Sequence, residues 1–324
     1  MTSPAKKLRA KATRRLPGRV EEILHGLTAF SRGDDHAAYT ADDIVALAQD
    51  ADVLIVTLTE KVSPDVAARL PDSVRLVATV SAGTDHLAVK ALGERGIQVS
   101  NTPGAVTDTT AEIAMLLILG AARRANEGLS LVQQNRWKGW RPTQLLGLGM
   151  RGARLGLIGY GRIGQAVAAR AAAFGCEIHY HGPRPVADAI GTYHERLETL
   201  LAVADIVSLH CPSTAQTRGL VNETFLAMCK DGVIIVNTAR GDLIDDAALI
   251  AALHRGDVMA AGLDVFAGEP DIHPDYRGLP NVFVLPHLGT ATHMARTEMG
   301  MLVVDNIRAL AEGQPLPNAV KSRG

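Results

Sequence analysis

The run Leu155-Gly-Leu-Ile-Gly159-Tyr-Gly161-Arg-Ile-Gly164 constrains the fold of this 324-residue chain more than any other feature. An aliphatic strand, Leu155 to Ile158, runs into three glycines spaced G-x-G-x-x-G. A helical pattern follows to Phe174, with Ile163, Val167, Ala171 and Phe174 on one face. In such a strand–turn–helix the first glycine permits the tight turn and the second lets the backbone approach a pyrophosphate. The third lets helix pack on strand, and the helix N-terminus attracts the anion. A glycine-rich structural turn would share the spacing, but this context predicts a dinucleotide site.

Around this motif, short apolar strands alternate with Ala/Leu-rich helical stretches. The strands are expected at 51–57, 74–80, 96–100, 155–158, 177–181, 205–209, 233–236 and 261–265. Near-continuous aliphatic strands separated by helices indicate an α/β protein with parallel sheets covered on both faces. The length suits two domains. Pro103 and Gly104 end a strand before a long helix through Ala111 to Arg124, and a second helix follows His287 to Leu310. These two helices are expected to link the lobes. One domain would then be 1–101 plus 293–324, discontinuous in sequence, and the other 102–292.

Lys+Arg total 33 and Asp+Glu 34, a net charge of −1, which gives no electrostatic case for a nucleic-acid or membrane partner. The longest apolar run, Ile113 to Ala122, falls well short of the roughly 20 residues a bilayer crossing needs. That run is apolar around almost its whole circumference, which points to burial on several sides and to a homodimer. Cys176, Cys211 and Cys229 form no closed disulfide set and, like the histidines, show no metal-ligand spacing, so no metal is expected. Cys211 reads as packing. Reduced thiols suit a cytoplasmic protein. The basic start, MTSPAKKLRAKATRRLPGR, leaves a transit peptide as the alternative, while the lack of an apolar stretch argues against a secretory signal.

The strand 177–181 should end in Asp or Glu if a ribose 2′-hydroxyl is to be held, yet it ends in Gly182-Pro183-Arg184. With no carboxylate to repel a 2′-phosphate, Arg184, with His181, could pair with it. The cofactor reading is therefore NADP(H), with NAD(H) as the alternative and a solvated loop arginine as the plain structural one.

Several segments together resemble the D-isomer-specific 2-hydroxyacid dehydrogenase family. They are Val80-Ser-Ala-Gly-Thr-Asp-His-Leu, Asn101-Thr-Pro-Gly, the glycine motif, Leu209-His-Cys-Pro-Ser-Thr, Val236-Asn-Thr-Ala-Arg-Gly-Asp, Gly262-Leu-Asp-Val-Phe-Ala-Gly-Glu-Pro and Leu285-Pro-His-Leu-Gly-Thr-Ala-Thr. Trp140-Arg-Pro-Thr-Gln-Leu-Leu-Gly and Ile178-His-Tyr-His are most similar to the glyoxylate/hydroxypyruvate reductase branch, which commonly uses NADPH. The resemblance implies two Rossmann-like lobes, a doubly wound dinucleotide-binding domain inserted into a smaller flavodoxin-like substrate domain. It implies an oxidoreductase reducing a small 2-keto acid to the D-2-hydroxy acid, with His287 as proton donor, Glu269 as its partner and Arg240 on the substrate carboxylate. The backbone of Ser81, Ala82 and Gly83 would hold the same carboxylate. Asp264 would lie near the nicotinamide, Thr107 beside the phosphates, and His210, Pro212 and Thr217 around the adenosine. Gly159, Gly161, Arg162, Ile163, Gly164, Gly182, Arg184, Thr238, Ala239 and Gly289 complete the implied cofactor contacts. The chain departs from the family pattern at Ala88, where an acid often stands, and at Gly182-Pro183.

The implied chemistry needs these residue types. A keto acid must receive a hydride at carbon, from the cofactor, and a proton at oxygen. Histidine is charged near neutral pH yet can give its proton up, a carboxylate orients it, and arginine offers paired planar donors to a carboxylate. Singly, Glu269 could be a solvated turn residue, His287 a strand-end histidine and Arg240 an ion-pair partner. Jointly they follow successive late strands, where ligands of such sheets sit. Trp137 and Trp140 read equally as interface core or as a pocket lid. The rival readings are a D-3-phosphoglycerate or formate dehydrogenase of the same family, the first often with an added domain that does not follow here, the second with Gln at position 269. The rival from another class is a nucleotide-sensing, non-catalytic scaffold of the corepressor type.

Overall fold

The computed structural model describes residues 7–35 and 38–321, and the chain divides into two compact units. One runs up to Val106 and resumes at Ala291; the other is Thr107–Thr290.

The first unit contains β1 (Arg9–Ala12), α1 (Gly18–Leu27), β2 (Ala29–Arg32), α2 (Ala41–Leu47), β3 (Val53–Val56), α3 (Pro64–Arg69), β4 (Leu76–Thr79), α4 (Val89–Glu94) and β5 (Gln98–Ser100). Its strands are all parallel in the order β2-β1-β3-β4-β5, the flavodoxin-like arrangement. Val53, Ile55, Leu76 and Ala78 feed one core and Leu54, Val56 and Val77 another, so both faces of the sheet are covered. Helix starts carry their signals. Thr40 and Asp43 form a reciprocal capping box at α2, and Ser63 with Pro64 opens α3. Ala88 stands at the N-cap of α4 without a side-chain hydrogen bond, so the departure from the family pattern leaves this helix uncapped at a cost of about 1 kcal/mol.

The basic opening stretch is largely structural. Ala10 and Ala12 of β1 face the core, while Arg9 bonds Asp52 at 3.1 Å and the Lys11 ammonium donates to the Gln49 carbonyl. The first six residues of the transit-peptide reading lie outside the described residues.

The second unit contains α5 (Thr107–Ala122), α6 (Ala125–Gln133), β6 (Arg154–Ile158), α7 (Arg162–Ala173), β7 (Glu177–His181), β8 (Thr192–His194), α8 (Leu197–Leu201), β9 (Ile206–Leu209), α9 (Glu223–Ala227), β10 (Val233–Asn237), α10 (Asp246–Arg255), β11 (Val258–Leu263) and β12 (Val282–Val284). Seven parallel strands run β12-β11-β10-β9-β6-β7-β8, the doubly wound order in which the topology reverses between β6 and β9. Alternate residues of β10 enter different cores, Val233 and Ile235 on one face and Ile234 and Val236 on the other. The chain then returns to the first unit through α11 (His293–Ala311), where Gly300 lets it pack closely on Val20 of α1.

Sequence patterning missed β1, β2, β8 and β12. Three of these are sheet edges; β2 and β8 carry polar residues that an edge tolerates, β12 is apolar but only three residues long, and β1 was hidden by its Arg and Lys. The residues of helix α5 from Thr109 to Ala122 are mostly buried against α7, β10 and β11 within its own unit, and Gly262 of β11 meets Leu117 closely. Most of its apolar circumference is covered there, while Leu116 stays exposed at 44%. Among the described residues no helix is long and apolar enough to cross a membrane.

At the carboxyl ends of β1 and β3, the Glu60 carboxylate is fully buried. It accepts from Thr13 Oγ1 at 2.7 Å, Arg14 Nε at 2.9 Å, Thr57 N at 2.9 Å and Thr59 Oγ1 at 2.7 Å. Burial alone would raise its pKa, but these donors hold it below the ordinary 4.5. Its stabilising effect is therefore present above pH 4.5 and lost as pH falls through the lower folded-state value. Glu60→Gln is expected to cost about 2 kcal/mol in urea unfolding at pH 7, and the gap from the unsubstituted chain should narrow as pH drops into the carboxylate range. A gap independent of pH would show that the ionised form contributes nothing.

Candidate active site

The loops after β6, β9, β10, β11 and β12 all leave the carboxyl edge of the seven-stranded sheet, and each carries residues singled out by the sequence. At the end of β6, Gly159 turns with φ +94°, and a Cβ there would lie 2.6 Å from the backbone of His210 and Cys211. Gly164 lies against the Gly159 carbonyl, the close helix–strand approach expected of the third glycine. Gly161, the N-cap of α7, differs: a Cβ there would meet nothing within 4 Å. The mouth of the turn is thus open at the N-terminus of a twelve-residue helix, where unpaired backbone N–H groups favour an anion. Arg162 and Ile163 open α7, and Thr107 opens α5, whose Asp108 pairs with Arg170 of α7 at 2.8 Å.

Two polar atoms near this edge are buried without a partner among the described residues, His210 Nδ1 and Thr238 Oγ1. His210 Nε2 bonds Ser208, and burial pushes the imidazole down to about 4. Thr217 shapes the adjoining loop: its hydroxyl donates to the Pro212 carbonyl at 2.7 Å and accepts from Thr214 N. Burial pushes the Cys211 thiol up to about 11, which agrees with packing rather than reactivity. An open glycine turn at a helix start, with unpartnered buried donors beside it, fits a dinucleotide.

The Gly159 N–H donates to the His181 carbonyl, so the end of β7 lies against the glycine turn. Gly182 accepts from Tyr193 Oη and Arg184 is exposed. Glu177 stands at the opposite end of β7, bonded to Arg154 at 3.3 Å. The strand pairing of β7 with β8 also brings His179 Nδ1 within 2.9 Å of His194 Nε2, a proximity that sequence spacing did not reveal. Among the described residues no group of three or more His, Cys, Asp or Glu is placed to hold a metal ion.

Arg240, Glu269 and His287 follow β10, β11 and β12. His287 Nδ1 lies 2.8 Å from Glu269 Oε2, and the other carboxylate oxygen accepts from Phe266 N at 2.6 Å. Burial alone would raise the Glu269 carboxyl. The imidazole bond, the Phe266 N–H and the nearby charges of His287 and Arg240 hold it below the ordinary value. Arg240 Nη1 donates to the Ala239 carbonyl. His287 adopts φ +55°, a conformation a β-substituted residue takes only when its surroundings impose it.

Asp264 imposes it. This buried side chain accepts from Leu288 N at 2.6 Å and Gly289 N at 2.8 Å, while its carbonyl accepts from His287 N. Burial pushes the Asp264 carboxyl up, and these donors with the His287 charge pull against that. Three residues escaped sequence reasoning. Asn237, fully buried at the end of β10, donates to the Arg240 carbonyl and accepts from Ala239 N. Thr110 donates to the Gly289 carbonyl at 3.3 Å. A Cβ on Gly241 would collide with the Phe266 backbone, so only glycine lets the Arg240 and Glu269 loops lie together. A polar residue continuing the aliphatic run at Asn237 was the one available signal.

Residues 115–289 match the model of the D-isomer specific 2-hydroxyacid dehydrogenase NAD binding domain. The chain is 41% identical to a glycerate dehydrogenase of Hyphomicrobium methylovorum over 296 residues, 90% of this chain and 92% of that one. It is 38% identical to a glyoxylate reductase of Thermococcus litoralis, covering 95% of each. Among solved structures, a glyoxylate reductase from Paecilomyes thermophila superposes with TM-score 0.88 at 33% identity, covering 99% of this chain and all of that one. An NADPH-dependent glyoxylate/hydroxypyruvate reductase from Sinorhizobium meliloti, in complex with NADP and malonate, gives 0.85 at 32% identity and 97% of each. The chain belongs to the D-isomer specific 2-hydroxyacid dehydrogenase family. It is an oxidoreductase with a Rossmann NAD-binding domain.

The first two glycines of the turn give opposite expectations. Gly159→Ala should destabilise the protein by about 2–3 kcal/mol, through a strained φ and a backbone collision. Gly161→Ala should leave urea unfolding within about 0.5 kcal/mol, yet weaken NADH and NADPH binding at least roughly tenfold by titration calorimetry, since its methyl enters the open mouth. Unchanged nucleotide affinity in Gly161→Ala would exclude the turn as the phosphate site.

Proposed function

We propose that the protein reduces a small 2-oxo acid of the glyoxylate/hydroxypyruvate type to the D-2-hydroxy acid, using NADPH in preference to NADH. The observation that supports this most is the His287 Nδ1–Glu269 Oε2 bond of 2.8 Å, made beside Arg240 at the carboxyl edge of a dinucleotide-binding sheet. When bound, the nicotinamide would supply a hydride for the carbonyl carbon. Gly159, Gly161, Gly164, Arg162 and Ile163 would hold the pyrophosphate, with Thr107 beside it. His210, Pro212 and Thr217 would flank the adenosine, and Thr238, Ala239, Asp264 and Gly289 would line the nicotinamide side.

In this reading Arg240 binds the substrate carboxylate through paired donors and polarises the adjoining carbonyl. The amides of Ser81, Ala82 and Gly83 take the same carboxylate. Glu269 accepts from Nδ1–H of His287, so the transferable proton of the charged ring sits on Nε2, from which it passes to the carbonyl oxygen. Asp264 keeps the ring in place through the backbone of residues 287–289. Fixing both ends of a small substrate matters because a misplacement of about 1 Å can cost on the order of 100-fold in rate.

The NADPH preference rests on Gly182, Pro183 and the exposed Arg184 after β7, where no carboxylate stands to repel a 2′-phosphate. The name of the Sinorhizobium meliloti neighbour points the same way. Homodimerisation rests on a different surface from the one the sequence suggested. Helix α6 buries no residue, and Leu129, Val132, Trp137 and Trp140 are exposed, Trp140 by 79%. Cys176, Cys211 and Cys229 are free thiols, in keeping with a reducing, cytoplasmic setting.

Glu269→Gln, which leaves His287 Nδ1 without its carboxylate, is expected to lower kcat/KM for glyoxylate or hydroxypyruvate at least roughly tenfold; an unchanged rate would remove Glu269 from its role. For the cofactor, kcat/KM should favour NADPH, and Arg184→Ala should reduce that preference roughly tenfold with little effect on NADH. A clear NADH preference in the unsubstituted chain would overturn the assignment. Nucleotide binding without turnover of any 2-oxo acid would favour the scaffold reading.

A further inference from the structure

The loop after β4, Ser81 to Gly83, is held by a hydrogen-bond pattern that faces its amides outward. Its three carbonyls are all taken from within. Ser81 O accepts from Thr102 N at 2.9 Å, Ala82 O from Asn101 Nδ2 at 2.7 Å, and Gly83 O from Ser81 Oγ at 2.6 Å. The N–H groups of Ala82 and Gly83 meet no acceptor among the described residues, although both residues are only partly exposed. Partly buried amides in that position are paired with something outside the fold, water or an anion.

Behind the loop runs a chain of polar contacts: Ser81 Oγ to Thr79 Oγ1 at 3.0 Å, and Thr79 Oγ1 to His86 Nε2 at 2.9 Å. Thr79 is fully buried and Ser81 nearly so. Proton accounting fixes its direction. A carbonyl only accepts, so the one hydroxyl proton of Ser81 goes to Gly83 O. Thr79 must then be the donor to Ser81, which spends its single proton. The bond between Thr79 and His86 can therefore be made only if His86 Nε2 carries hydrogen.

We propose that His86 is a positioning residue: its Nε2–H sets a one-way relay through Thr79 and Ser81 that locks the Gly83 peptide and presents the Ala82 and Gly83 amides to the substrate carboxylate. The proposal rests on the reading in which those amides grip a 2-oxo acid. His86 touches neither substrate nor cofactor in this role. Nε2 bears a proton in one neutral tautomer and in the imidazolium alike, so the relay survives titration of the ring, and the role needs a donor rather than a charge. Glutamine can offer an N–H in its place; leucine cannot.

The relay serves binding that is common to ground state and transition state, so its loss should appear in KM for the oxo acid and not in kcat. His86→Leu and Thr79→Val are expected to raise KM for glyoxylate about three- to tenfold, the scale of one lost buried hydrogen bond. kcat and KM for NADPH should stay within about twofold, the pattern of lost uniform binding. His86→Gln should restore KM to within about twofold of the unsubstituted chain. Long-range 15N–1H spectra of the histidine-labelled protein, with His86 assigned by the Gln variant, should show the proton on Nε2. An unchanged glyoxylate KM in the Leu variant, a Gln variant as impaired as Leu, or a bare Nε2 would each overturn the proposal. Failure of the unsubstituted chain to turn over any 2-oxo acid would instead overturn the reaction reading, while the spectra still decide the direction of the relay.

Discussion

The loops that carry Arg240 and His287 at the carboxyl edge of the seven-stranded sheet depend on two buried side chains, Asn237 and Asp264. The Asp264 N–H donates to the Asn237 carbonyl, so the ends of β10 and β11 are tied to each other before their side chains act. The Asn237 carboxamide then closes the loop that carries Arg240, and the Asp264 carboxylate closes the one that carries His287. A buried polar group without partners costs about 1–3 kcal/mol. Each of these groups therefore rigidifies its loop simply by being satisfied there. The left-handed backbone of His287 is a consequence of this and needs no separate cause.

The same device recurs in the first unit with different chemistry. Glu60 gathers the loops after β1 and β3 through four donor residues, and the serine–threonine–histidine relay gathers the loop after β4. In both units, parallel strands deliver loops to one edge and a few buried polar side chains convert them into fixed backbone. Hydrophobic burial stabilises the sheets but is indifferent to loop conformation. The polar groups supply the specificity, because their hydrogen bonds are directional and costly to leave unmade.

Much of this was legible beforehand, but unevenly. The central strands could be read because burial on both faces demands uninterrupted aliphatic residues, and the glycine turn because Gly159 and Gly164 each answer a separate steric demand. The edge strands β2 and β8 could not, since an edge is buried less and tolerates Ser, His and Thr, and β12 is only three residues long. Helix α5 was legible only in part. Its composition announced burial on several sides, yet nothing in a linear sequence says where the cover lies; α7, β10 and β11 supply most of it, and Leu116 stays exposed.

Residue types and their order along the chain sufficed for the α/β class, the position of the glycine turn, and the choice of Arg240, Glu269 and His287 as residues to watch. The first two follow from local rules, namely side-chain periodicity and glycine conformation; the three residues come from the resemblance of their motifs to the family. Tertiary structure alone decided that Asn237 and Asp264 hold the loops, that Gly241 must be glycine because Phe266 lies against it, and that His86 faces Thr79. Those relations join residues whose proximity exists only once parallel strands are laid side by side in a non-sequential order, and no local pattern encodes which loops will then meet.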